Sequence, residues 1–63
     1  MIDYKVGDVL VFKGNDQNFT NGKKYKISDI TDSIWSQIIF EDYLWSCDKE
    51  YAKKNFILER QLN

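Results

Sequence analysis

Residues 6–30, VGDVLVFKGNDQNFTNGKKYKISDI, decide the fold. Asp8 to Lys13 (DVLVFK) is short and dense in β-branched and aromatic residues, which favours a strand over a helix. Gly7 and Gly14 punctuate its two ends. Asn15 to Asn21 form a polar loop interrupted by Phe19, and Asn21-Gly22 is a turn dipeptide because both residues tolerate positive φ. From Lys24 to Ile30 the pattern alternates, with Tyr25 and Ile27 facing one way and Lys24, Lys26 and Ser28 the other, as in a half-buried strand. Two strands joined by a long polar loop announce a small β architecture.

The remainder of the chain extends that meander. Thr31-Asp32-Ser33 reads as a turn whose short polar side chains bond the local backbone. Ile34 to Glu41 (IWSQIIFE) carries bulky apolar groups on both faces, Ile34, Ile38 and Phe40 on one and Trp35 and Ile39 on the other, as expected of a central strand in a curled sheet. Glu41-Asp42 is a tight turn, and Tyr43 to Cys47 returns as its partner strand. Asp48 to Asn55 changes character: Asp48 suits a helix N-cap, Lys53 and Lys54 its C-terminal end, and Asn55 a left-handed terminating residue. Phe56-Ile57-Leu58 supplies a short closing strand, and Glu59 to Asn63 trails into solvent.

Composition sets limits on this plan. With 63 residues the chain has room for one domain, 1–63, and one small core. Hydrophobic residues at 43% and charged residues at 30% fit a globular protein and are too apolar for a disordered one. The two Trp, four Tyr and four Phe make the core adequate, since each ring buries up to about 150 to 250 Å². Cys47 is the only cysteine and there is no His, so neither an internal disulfide nor a cysteine-histidine zinc site is available. No cofactor or metal is expected. Met1 runs into Ile2, Asp3 and Tyr4 without a basic or apolar leader, and no apolar run approaches the roughly 18 residues of a membrane span, so the expected setting is cytoplasmic.

The order of strand, long loop, strand, two-stranded hairpin, helical turn and short strand resembles the Src-homology-3-like small β-barrel, a mainly β fold of five strands with one short helical turn before the last. More narrowly, VGDVLVFKG (residues 6–14), FTNGKKYKI (19–27) and EYAKKNFIL (50–58) resemble short proteins encoded by bacteriophages and prophages of Gram-positive bacteria, mostly of unassigned function. That resemblance implies a fold and a phage origin rather than an activity. Src-homology-3 domains bind proline-rich peptides with an acidic first loop, a Trp at the start of the third strand and a Pro in the last turn. Asp16 and Trp35 echo the first two features. The chain has no Pro, which argues against a proline-peptide groove.

Three function classes can be weighed on the residues. Catalysis is poorly supplied: no His is present, Cys47 reads as a small core residue, and Glu41-Asp42 point to opposite faces if on a strand. Gly7, Gly14 and Gly22 are too widely spaced to cradle a phosphate. Single-stranded nucleic acid is the alternative partner, with Lys23, Lys24 and Lys26 interleaved with Tyr25, but Tyr25 shares its face with Ile27, and a formal net charge of −1 opposes a phosphate backbone.

Protein binding is the favoured class, because so many Trp and Tyr rings cannot all be buried in so small a core and such rings dominate interface hot spots. Trp35 leads, followed by Phe19, which either meets a partner or plugs one end of the barrel. Asp16, Asp29, Asp32, Glu41 and Asp42 supply acidic contacts. The expected partner is a bacterial host protein, bound stoichiometrically by a host-takeover or counter-defence protein. The acidic turns could mimic nucleic-acid charge toward a basic site, and pairing of two copies through an edge strand or Trp35 is a related outcome.

Overall fold

A computed structural model describes residues 3–31 and 36–61 of the chain. Its strands are β1 (Val9–Phe12), β2 (Lys24–Ile30), β3 (Gln37–Phe40), β4 (Ser46–Asp48) and β5 (Phe56–Leu58), with helix α1 (Lys49–Asn55) between β4 and β5 and a 3-10 turn, Glu59–Gln61, at the end. All pairings are antiparallel and the sheet order is β4-β3-β2-β1-β5. The long β2 serves both halves: Lys24 to Lys26 pair with β1, and from Ile27 onward it pairs with β3, with a register irregularity between Ile27 and Asp29. A break of this kind bends a strand and increases its twist, and here it curls the sheet into a half-barrel.

Alternation decides which side chains fill that curve. Leu10 and Phe12 of β1, Tyr25 and Ile27 of β2, Ile38 and Phe40 of β3, Cys47 of β4, and Phe56 and Leu58 of β5 all point inward, joined by Tyr4, Phe19 and Ala52. The expected assignments of Tyr25, Ile27 and Cys47 to the core hold. Val11 is buried on the opposite face, outside this cluster. It lies between Lys24 of β2 and Ile57 of β5 in register, and Lys24 reaches past it to Glu59, Nζ to Oε2 2.7 Å. The lysine stem and the ion pair thus cover apolar surface that the sheet would otherwise show to water.

Several expected boundaries shift for local reasons. Strand Asp8 to Lys13 shortens because the Asp8 carboxylate accepts from the Lys5 amide and the Lys13 amide donates to the Asn55 carbonyl. Of the strand expected over Ile34 to Glu41, Gln37–Phe40 is formed, Glu41 belongs to the following turn, and residues 32–35 lie outside the described part, including Trp35, Asp32 and most of the turn expected at Thr31-Asp32-Ser33. The returning strand is Ser46–Asp48 rather than Tyr43 to Cys47. Asp42 takes φ 55°, and Tyr43 turns back so that its hydroxyl donates to the Asn18 carbonyl.

Asp48 caps α1 as expected, accepting from the Tyr51 amide at 2.7 Å. Asn55 does not become left-handed; the extended Phe56 ends the helix and donates its amide to Ala52. Of the stretch expected to trail into solvent, Glu59–Gln61 is instead tied down, Arg60 donating to the Asp8 carboxylate and the Asp3 carbonyl, and residues 62–63 lie outside the described part.

Candidate functional site

The loop between β1 and β2 is closed at its neck by two backbone bonds, Gly22 amide to Phe12 carbonyl and Phe12 amide to Lys23 carbonyl. Gly22 makes this possible with φ 84°, a conformation that costs glycine nothing. Inside the loop the Asp16 side chain accepts from the Asn18 amide and its carbonyl from the Phe19 amide, forming a local turn that aims Phe19 inward. Phe19 is 8% exposed, with its ring centroid 5.2–6.1 Å from those of Phe12, Tyr25, Tyr43, Tyr51 and Phe56 and 6.0 Å from that of Phe40. Of the two expected roles for Phe19, partner contact and barrel plug, the structure shows the plug. Its remaining exposed edge lines the cleft beside the loop, so what it can offer a partner is a small part of the ring.

Three tyrosines hold the loop in place. The Tyr25 hydroxyl accepts from the Thr20 amide at 2.9 Å, the Tyr43 hydroxyl donates to the Asn18 carbonyl, and the Tyr51 hydroxyl donates to the Asp16 carboxylate at 2.6 Å. Each ring sits in or against the core while its polar tip satisfies a loop group, the division of labour that suits tyrosine. Burial, followed by the bond to Asp16, pushes the Tyr51 phenol up to about 12. The same bond, with the Asn18 amide, holds the Asp16 carboxyl below the usual carboxylate range. Asp16 is therefore ionised at neutral pH.

Beside this clamp lies an open cleft of about 250 Å³. One wall is the loop with Asp16 and Asn18 and the helix with Tyr51; the other is β4 with Gln37 of β3 beneath it, and Trp45 stands at the lip. No Lys or Arg is among the described residues that line it. Two carboxylates, Asp16 and Asp48, make it acidic. Trp45 is 48% exposed and its neighbour Leu44 89% exposed, following the Glu41-Asp42 turn. The cleft thus combines a half-exposed Trp45 with two carboxylates, and the exposed Leu44 adjoins Trp45 in the chain.

Asp16 and Phe19 are the expected contact residues that the structure puts in the cleft, Phe19 mostly buried at its inner side. Glu41 and Asp42 are exposed in the turn leading to Leu44 and Trp45, and Asp29 is exposed on β2 opposite Ile39. Trp45, Tyr51, Asp48, Gln37 and Leu44 were missed. The available signal was 43–45, three bulky residues in succession after a turn, which no half-buried strand can place on one face. Cys47 also lines the cleft, but burial pushes its thiol up to about 12, so it is not a nucleophile near neutrality.

The lysine run is divided among separate contacts. Lys23 lies 5.4 and 5.6 Å from the Tyr25 and Tyr43 ring centroids, Lys24 is paired with Glu59, and Lys26 is exposed on the outer face of β2. Tyr25, the ring among them, is buried with its hydroxyl engaged, which leaves no face for a base to stack on. Among the described residues no group of three or more acidic, Cys or His side chains could hold a metal ion, and no helix is long and apolar enough to cross a membrane. Compared with known proteins, the chain matches no family model, no curated protein and no solved structure.

Proposed function

We propose that this chain is a small non-catalytic protein-binding module built on a Src-homology-3-like barrel, and that it binds a bacterial host protein stoichiometrically, as a phage-encoded host-takeover or counter-defence protein would. The observation that carries this reading is the half-exposed Trp45 lining an acidic cleft, with the exposed Leu44 next to it in the chain. A folded chain with so small a core gains nothing in stability from displaying a leucine and half a tryptophan side by side, and Trp is the residue type most enriched among interface hot spots. The acids around it select a partner surface with basic character.

The test is capture of protein from a Gram-positive lysate on the immobilised chain, with two variants beside the wild type. Trp45→Ala removes the lip and lowers affinity at least about 30-fold, the equivalent of a hot spot of about 2 kcal/mol. A triple variant, Lys23→Ala, Lys24→Ala and Lys26→Ala, keeps its captured protein. The reverse pattern, with salt-sensitive retention of single-stranded DNA or RNA lost in the triple variant, overturns the proposal in favour of nucleic-acid binding.

A further inference from the structure

We infer that the partner enters the cleft as an extended, basic segment that adds a strand to the outer edge of β4. This rests on the protein-binding reading and says how the contact is made. β4 is the last strand of the sheet, its pairing to β3 is continuous from Gln37↔Asp48 to Ile39↔Ser46, and no other strand among the described residues lies on its far side. Successive residues of an antiparallel strand direct their amide and carbonyl groups to opposite sides, so a three-residue strand paired on one side leaves at least one residue with both groups facing outward. Such an edge is a template for another chain.

The cleft lies along this edge: Ser46, Cys47 and Asp48 all line it. Its volume of about 250 Å³ falls just below the roughly 300 to 1,000 Å³ of small-molecule pockets, and the space is open, as a short length of peptide needs. Three residues of strand cover about 10 Å, so the main-chain contact is brief and the side chains supply the choice of partner. Here the charge pattern selects. A residue opposite Asp48 has its Cβ about 5 Å from that of Asp48, where Lys or Arg meets a carboxylate. The facing wall offers Asp16, ionised and fixed by Tyr51. A second copy of this chain would bring Ser46 or Asp48, and no cation of β4, to face this edge.

The experiment uses the ¹⁵N-labelled full chain and four defined peptides: Lys-Val-Lys-Val-Lys-Val, the same peptide N-methylated on its Lys amides, the same peptide N-methylated on its Val amides, and the Glu-Val counterpart. Strand addition predicts that the Lys-Val peptide binds and slows hydrogen exchange at least tenfold at one or more of the Ser46, Cys47 and Asp48 amides. It also predicts that one of the two N-methylated forms loses at least tenfold in affinity while the other does not, because alternate amides face the edge, and that the Glu-Val peptide fails. No binding of the Lys-Val peptide, equal tolerance of both methylation patterns, equal binding of the Glu-Val peptide, or protection of these amides by rising protein concentration alone overturns the inference. A lysate protein captured in a Trp45-dependent way that leaves the β4 amides unprotected overturns strand addition and leaves the protein-binding reading standing. Capture of no protein overturns that reading itself.

Discussion

Replacing Phe19 with Ala separates a core plug from a surface contact by several kcal/mol. The ring is surrounded by six others, stacked on Phe12 at 5.3 Å and edge-on to Tyr25 at 5.4 Å and Phe56 at 5.2 Å. Truncating a buried Phe to Ala costs about 3 to 5 kcal/mol, from lost transfer free energy and the cavity left behind. Total stability at about 0.05 to 0.15 kcal/mol per residue gives a 63-residue domain about 3 to 9 kcal/mol. The variant therefore loses most of its stability.

With a urea m-value near about 1 kcal/mol/M, the midpoint falls by about 3 M or more. Where Phe19→Ala is already unfolded in buffer, Phe19→Leu keeps an apolar plug and sacrifices ring contacts, at about 1 to 2 kcal/mol. Equilibrium urea unfolding followed by tryptophan fluorescence and far-ultraviolet circular dichroism reads both. A change below about 0.5 kcal/mol in Phe19→Ala is the size of an ordinary surface substitution and refutes the closed loop.

Three further outcomes follow from the packing. In Gly14→Ala the new Cβ would stand 2.7 Å from the buried Phe12 ring and 2.9 Å from Asn55 Oδ1, so thermal unfolding shows a loss of about 1 to 3 kcal/mol although φ is ordinary there. On the outer face, Val11→Ala lowers urea stability by about 1 to 2 kcal/mol whereas Glu59→Gln changes it by less than about 1, because Val11 is buried and the Lys24–Glu59 pair is exposed; equal losses would contradict this division. The Tyr51 phenol is raised in the folded chain, so its contribution to stability is complete below the unfolded value near about 10 and is lost as pH rises toward about 12; in Tyr51→Phe that alkaline decline in unfolding midpoint is smaller, measured by urea titration between pH 9 and 12.

The sheet was legible because alternation carries it. In Lys24 to Ile30 the lysines and Ser28 declare the outer face and Tyr25 and Ile27 the inner, and Asp48 declares the helix start by its cap chemistry. Val11 was less so, since its cover is a lysine stem from one neighbour strand and an ion pair to the end of the other, a combination set by register rather than by local pattern. The cleft was hidden for a similar reason. Asp16 lies some thirty residues from Trp45, Asp48 and Tyr51, and it is the turn at Asp42 and the reversal at Tyr43 that bring them around one opening.

The first loop shows how a polar sequence becomes part of a core. Its amides and carbonyls would be costly to enclose without partners, and Phe19 can enter only if they are satisfied. Tyrosines on β2, on the turn after β3 and on α1 do this with hydroxyls that reach Thr20, Asn18 and Asp16 from rings packed in or against the core. The aromatic content is thus divided by chemistry: phenylalanines fill the interior, tyrosines bind the loop to it, and Trp45 is left at the surface. The same division places the site. Because Phe19 anchors the loop, the Asp16 carboxylate is held against Tyr51 as one wall of the cleft in the folded chain, so under the proposed binding the ordering cost of that wall is met in folding.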